Sequence, residues 1–259
     1  MIAAFYFSHF YAPLHAGGMG GGSAIVTSRS GSVRVVDADG HPAGADAHAV
    51  LRPSGLQWSA QRDGRLFLAF SNGVALALDG GSSAECLEFT QRPFGLDDIE
   101  IGREPSVSKL RLRLDHGRIA LASNKLSPLS DLRIALPFGE VRLHKGSCLI
   151  EYDSMGLHLT SFEGNLTYYY PNSDAREYVT APKRVRVSEQ SAGRQQIAEA
   201  STAETLAPGA ARLCQAAGHA SRRVFFRPNA GTGQPPAPVL IVRPRYFDQP
   251  AIRPYTLED

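Results

Sequence analysis

Ser108-Lys109-Leu110-Arg111-Leu112-Arg113-Leu114-Asp115-His116-Gly117-Arg118-Ile119-Ala120-Leu121 alternates apolar with polar residues on both sides of one glycine. That period of two is what a strand presents on one buried face, and no helix produces it. The arrangement returns as Leu132, Ile134, Leu136, Gly139, Val141, Leu143, and again as Leu157, Leu159, Ser161, Gly164, Leu166, Tyr168. Looser copies centre on Gly31, followed by Val33 and Val35, and on Gly73, preceded by Leu66, Leu68 and Phe70. Glycines at intervals of roughly twenty-two residues, or twice that, mark a repeating β architecture. Each marks a place where the chain turns or bulges. The pattern predicts an all-β fold, a solenoid-like or twisted stack of short strands with one face in the core and the other wet.

Around this centre the 259 residues form either one large β unit or two modest domains, and either buries enough apolar surface to fold unaided. The net charge of +2 argues against a dominant attraction to nucleic acid or to an anionic membrane. Residues 1–22 read as a leader or truncated signal peptide and glycine spacer: Met1–Ala16 is apolar and aromatic, ends in Leu14-His15-Ala16, and runs into Gly17–Gly22. This predicts export to the periplasm or cell surface. No stretch approaches twenty apolar residues, so no transmembrane helix is expected. Residues 23–188 carry the β pattern. Residues 189–227 read as a helical segment, through Gln195–Glu204 and Pro208–Arg223, lying on the sheet or sheltering its open end. Residues 228–259 hold Pro235, Pro236, Pro238, Pro244, Pro250 and Pro254, and read as an extended tail that adds at most an edge strand.

Several of these segments resemble the FecR domain family. Phe67–Val74 with Asp79-Gly80-Gly81-Ser82-Ser83 is similar to that family's strand, turn glycine and following Gly-Ser element. Leu112–Ile119 around Gly117, Asp131–Tyr152 with Pro137, Gly139, Gly146, Ser147 and Cys148, and Leu159–Leu166 with Glu163-Gly164 resemble its successive glycine-centred strands. The likeness covers roughly Ser23 to Ser188. It implies an all-β domain that works by protein contact without catalytic residues. Known members regulate sigma factors through a cytoplasmic segment, a membrane helix and an exported domain that receives a signal from a TonB-dependent transporter. Of these parts, only the exported β module is expected to carry over.

No catalytic residue, cofactor or metal ligand is expected. Cys86, Cys148 and Cys214 form no C-x-x-C pair, and Cys148 alternates in phase with Ile150 and Tyr152 as a core residue would. In an exported chain, Cys86 with Cys148 is the one bridge worth testing. His116, His144 and His158 fall in three different repeats, without H-x-H or H-E-x-x-H spacing. Gly-x-Ser-x-Gly is absent, Asp97, Asp98 and Glu100 read as a solvated loop, and Gly231-x-Gly233 has no helix to receive a phosphate. In Tyr168-Tyr169-Tyr170 the alternation sends Tyr168 and Tyr170 inward and leaves Tyr169 as an exposed contact residue. Stacked repeats would line up Arg111, Arg133 and His158 about 4.8 Å apart per rung, a ladder for an acidic partner or anionic glycan. The expected role is therefore a non-catalytic exported interaction module for a protein or envelope polymer, with Arg111, Arg133, His158 and Tyr169 as contact residues. A surface structural or self-assembling protein is the alternative, and a carbohydrate-active hydrolase the weaker one.

Overall fold

A computed structural model describes residues 18–154, 156–171, 174–189, 195–202, 208–228 and 234–240. The strands are β1 (Gly20–Gly21), β2 (Ala24–Ser30), β3 (Val33–Val36), β4 (Val50–Leu51), β5 (Leu56–Ala60), β6 (Arg65–Phe70), β7 (Val74–Leu78) and β8 (Ser82–Gln91). Then follow β9 (Ser108–Ser123), β10 (Asp131–Leu136), β11 (Gly139–Asp153), β12 (Gly156–Tyr169), β13 (Arg176–Thr180), β14 (Lys183–Glu189) and β15 (Gln195–Thr202). Helix α1 (Pro208–Ser221) precedes β16 (Val224–Arg227) and β17 (Ala237–Leu240). Strands β1 to β15 belong to one large mixed sheet that is not closed into a barrel, and β16 pairs with β17 separately.

The pairings divide the large sheet into two layers that share three long strands. The first half of β9 lies between β8 and β10, whereas its second half lies between β7 and β11. Strand β11 begins against β10 and ends against the second half of β9. Strand β12 begins against β14 and ends against β13. One layer therefore runs β3, β5, β8, β9, β10, β11, β12, β13, and the other β4, β2, β6, β7, β9, β11, β12, β14, β15. Their inner faces meet in one core, where Trp58 and Phe89 of the first layer contact Phe70 of the second edge-on, at centroid distances of 6.2 and 5.5 Å. Such edge-to-face pairs add to the burial itself.

The repeated glycine does a different job in each copy. Gly73 turns the β6–β7 hairpin and Gly139 begins β11 after the β10 turn. Gly164 sits beside a register shift between β11 and β12. Gly117 lies at the point where β9 passes from layer to layer, at φ +89°, where an added β-carbon would run into Ser82. A side chain there meets both a left-handed backbone and a neighbouring strand. Parallel stacking of two copies occurs at β9 with β10, through Leu110–Leu132 and Leu112–Ile134, while β11 and β12 pair antiparallel.

One expectation about the chain's later part is corrected. Gln195–Thr202, expected to be helical, is strand β15, paired along β14 from Glu189↔Gln195 to Lys183↔Thr202. Open ladder groups on β14 outweigh a weak helical preference, since pairing satisfies backbone that would otherwise be left bare. The apolar run of the Pro-rich segment does become a strand, but β17 joins β16 and not the large sheet. The helix expected over Pro208–Arg223 forms as α1 over Pro208–Ser221. It lies on the second layer's outer face, with Ala210, Leu213, Cys214 and Ala217 against Ala75, Ala77, Ala120 and Leu149. Alanines on the outward positions of β7 and β9 let the helix approach closely, so β7 is buried on both faces.

Candidate functional site

Two surfaces are candidates: the polar outer face of the first layer and a groove at the end of α1. On the polar face Arg111 pairs with Arg133 across β9 and β10, and Arg133 pairs with Arg142 across β10 and β11. The ladder thus continues to Arg142 rather than to His158. His158 lies in the half of β12 that belongs to the other layer, opposite Glu151 and Arg186. Burial, and then Arg184, hold its imidazole below the usual histidine range. Tyr169 faces outward between Glu140 and Arg176, while Tyr168 is buried with its hydroxyl donating to the Phe138 carbonyl, and Tyr170 packs against it.

The arginine ladder is electrostatically filled. Arg133 bonds Asp131 at 2.6 Å and Glu140 at 2.8 Å, Arg142 lies 3.3 Å from Asp131, and Lys109 lies 2.8 Å from Glu88. Arg113 pairs with Glu85 and Asp115. Among the described residues, Arg111 alone of these cations has no ion pair. Carboxylates two residues along the same strand (Asp131, Asp115), diagonal to the cation (Glu140, Glu88) or directly opposite it (Glu85) are the reason, because like charges side by side are unfavourable unless interleaved with acids. Such a face has little field left to attract an acidic partner.

The thiols offer no nucleophile. Cys86 and Cys148 are free and buried, and burial pushes both thiols up to about 12. Cys148 packs into the core between the layers, whereas Cys214 lies under α1 and its Sγ donates to the Cys148 carbonyl at 3.2 Å. One grouping escaped the sequence reading. Asp37, Asp39 and His41 bring ligand-type atoms within 4.8 Å of one another. Asp37 Oδ1 already accepts from the Asp39 and His41 backbone amides at 3.0 and 2.8 Å, so it ties an exposed turn.

The groove is open and measures about 780 Å³. Ala69, Ala122 and Ser123 line it, together with Ser221, Arg222 and Val224–Phe226 after α1 and with Ile99–Arg103 and Pro105 of the loop before β9. Phe226 is buried against Ile25, Ala69 and Phe94. The loop is held by Glu104, whose carboxylate accepts from the Ser127 amide at 2.8 Å, from Ser130 Oγ at 2.6 Å and from Ser108 Oγ. Burial pushes that carboxyl above the usual range. The loop is tied as well by Lys125 N donating to Gly102 O and Glu104 N to Lys125 O, at 3.0 and 3.1 Å. This stiff loop carries Ile101 fully exposed beside Arg103, which pairs with Glu100 at 2.9 Å. Lys145, Glu163 and Arg222 also line the groove, without ion pairs among the described residues.

None of the contact residues expected from sequence, Arg111, Arg133, His158 and Tyr169, lies at this groove; Glu100 of the acidic loop does, with Phe70, Gly73, Gly146, Ser147 and Glu163 of the glycine-centred segments. Ile101, Lys145 and Arg222 were missed. An isoleucine between Glu100 and Gly102, in a stretch with no strand period, was the available signal. No helix of the described residues is long and apolar enough to cross a membrane.

The sequence matches no known family model and no curated protein. Among solved structures, two crystal structures of a candidate anti-sigma factor from Parabacteroides distasonis, at 2.50 and 1.65 Å resolution, match with a TM-score of 0.41 and 9% identity. The likeness covers 56% of this chain and 60% of that one, so the chain spans less than two thirds of the protein it matches.

Proposed function

We propose that this chain is a non-catalytic, exported β module of the FecR type that binds a protein partner through the groove between α1, β16 and the 99–105 loop. The observation that carries the reading is Ile101, fully exposed on a loop whose backbone and carboxylate ties hold it rigid at an apolar groove. A large aliphatic side chain presented this way is stable in water only at a cost, and a partner that covers it recovers the burial. Its rim of Lys145, Glu163 and Arg222 gives orientation by charge. The ion-paired first-layer face and the buried, proton-retaining thiols favour contact over chemistry as the mode of action.

The experiment is partner capture from a cell-envelope extract by the wild-type chain and by Ile101→Glu with Lys145→Glu, both outside the core. A photo-crosslinking residue at Ile101 should give one adduct of discrete mass, and the double variant should lose it. Equal capture by both chains would sink the groove as the working surface. Self-assembly is a second reading, favoured by Val50, 59% exposed on β4 at the edge of the sheet. A strictly monomeric chain in light scattering at high concentration removes it.

A further inference from the structure

We infer that the groove takes its partner as a strand: an extended, acidic segment with alternate apolar side chains pairs with the free edge of β16; this rests on the groove being the working surface. In the register of the small sheet, Phe226 stands opposite Pro238. Proline has no N–H, so this pair is of the non-hydrogen-bonded kind, and the ladder bonds run through Phe225↔Val239 and Arg227↔Ala237. Alternation then directs the N–H and C=O groups of Val224 and Phe226 away from β17. Neither backbone has a partner there among the described residues. Val224, Phe225 and Phe226 all line the groove, whereas Ala237, Pro238 and Val239 do not, so the open edge of β16 is the one that faces it.

The two edges of this small sheet differ in sequence. Pro238, with Pro236 ahead of it, bars a further strand from the β17 side, while Val224–Arg227 holds no proline. A two-stranded pair is marginal in water, and a third strand completes it. Val224 and Phe226 pack towards Ile25, Ala69, Phe94 and Ile99, so the pair lies on the second layer. A strand added in its plane, about 4.8 Å from β16, enters the groove, where Ala69, Gly73 and Ala122 leave room for its side chains. Ile99, Ile101 and Phe225 cover alternate apolar side chains of such a strand. Arg103 is already matched by Glu100, and Lys145 with Arg222 outnumber Glu163, which favours an acidic segment. Main-chain bonds to Val224 and Phe226 then supply affinity, and the alternate side chains specificity.

The test is amide hydrogen exchange, read by NMR on the full chain, with the blocked peptide acetyl-Thr-Val-Glu-Val-Glu-Val-Thr-amide as the probe. In the free chain Phe225 and Arg227 should exchange slowly and Val224 and Phe226 fast, and millimolar peptide should slow the latter two at least about tenfold. N-methylation of alternate peptide amides should weaken binding roughly tenfold in one set and leave it nearly unchanged in the other, because only one set faces β16. Val224→Pro, which removes one groove-facing donor and no β17 bond, should abolish binding, and Val224→Ala should keep it. Should the proline variant not fold, the wild-type exchange pattern and the two N-methylated peptides decide. No binding at millimolar peptide, the same effect from both N-methylated sets, or unchanged binding by a folded Val224→Pro chain overturns the proposal. So does slowing of the same amides by protein concentration alone, which would make a second copy the occupant. If the peptide fails while partner capture is still lost on Ile101→Glu with Lys145→Glu, strand addition falls and the groove stands.

Discussion

Gly117→Ala isolates the corner where β9 crosses from one layer to the other. A β-carbon at this position would lie 2.3 Å from Ser82 Oγ and 2.6 Å from Ser82 Cα. The backbone φ of +89° adds a separate penalty. The left-handed backbone costs about 1–2 kcal/mol for a non-glycine residue. The crowding cannot be relieved by rotating a flexible side chain, because β8 is held on both sides by β5 and β9, and Ser82 Oγ also accepts the Arg118 amide at 2.8 Å. Forced overpacking of this kind costs about 1–3 kcal/mol more. The expected loss is thus about 2–5 kcal/mol, measured as a fall in the urea midpoint with an unchanged m-value. Gly81→Ala is the control: its φ is +72°, but nothing lies within 4 Å of the added carbon, so only the backbone penalty applies. If Gly117→Ala costs no more than Gly81→Ala, the crossing point is not a tight corner and the two-layer account of β9 is wrong.

Other expectations follow from the same geometry. Leu213→Ala should destabilise by about 2–4 kcal/mol and raise hydrogen exchange in α1, because this leucine seats the helix on Ala75, Ala77 and Ala120. Arg133→Glu should destabilise the fold by placing a third carboxylate between Asp131 and Glu140, whereas Arg111→Glu should leave the unfolding midpoint nearly unmoved; a comparison of their urea midpoints checks this. Burial and nearby arginines depress His144 and His158, so the folded state binds fewer protons than the unfolded chain and stability is lost as pH falls from about 7.5 through the histidine range. Melting at stepped pH should show that slope, and His144→Gln with His158→Gln should flatten it.

What was legible in the sequence was local. Alternation around Gly117, Gly139 and Gly164 marks strands, names the inward residues Leu110, Leu112, Ile134, Leu159 and Tyr168, and marks where the chain departs from a straight ladder. Val74-Ala75-Leu76-Ala77-Leu78 held a further message, since small residues on the outward positions announce a face to be covered, here by α1. The weak helical pattern at Gln195–Thr202 misled because strand pairing is decided by a distant partner.

The amino-acid sequence by itself determined which residues are buried and which face of each strand meets water, because side-chain period is a property of neighbouring residues. Only the tertiary structure decided which strand halves share a layer. That put Arg142 instead of His158 beside Arg133, and interleaved the arginines with Asp131 and Glu140. It alone brought Ile101, Lys145, Arg222 and Phe225 to one groove, because residues this far apart in the chain meet only through strand crossings that local pattern does not encode.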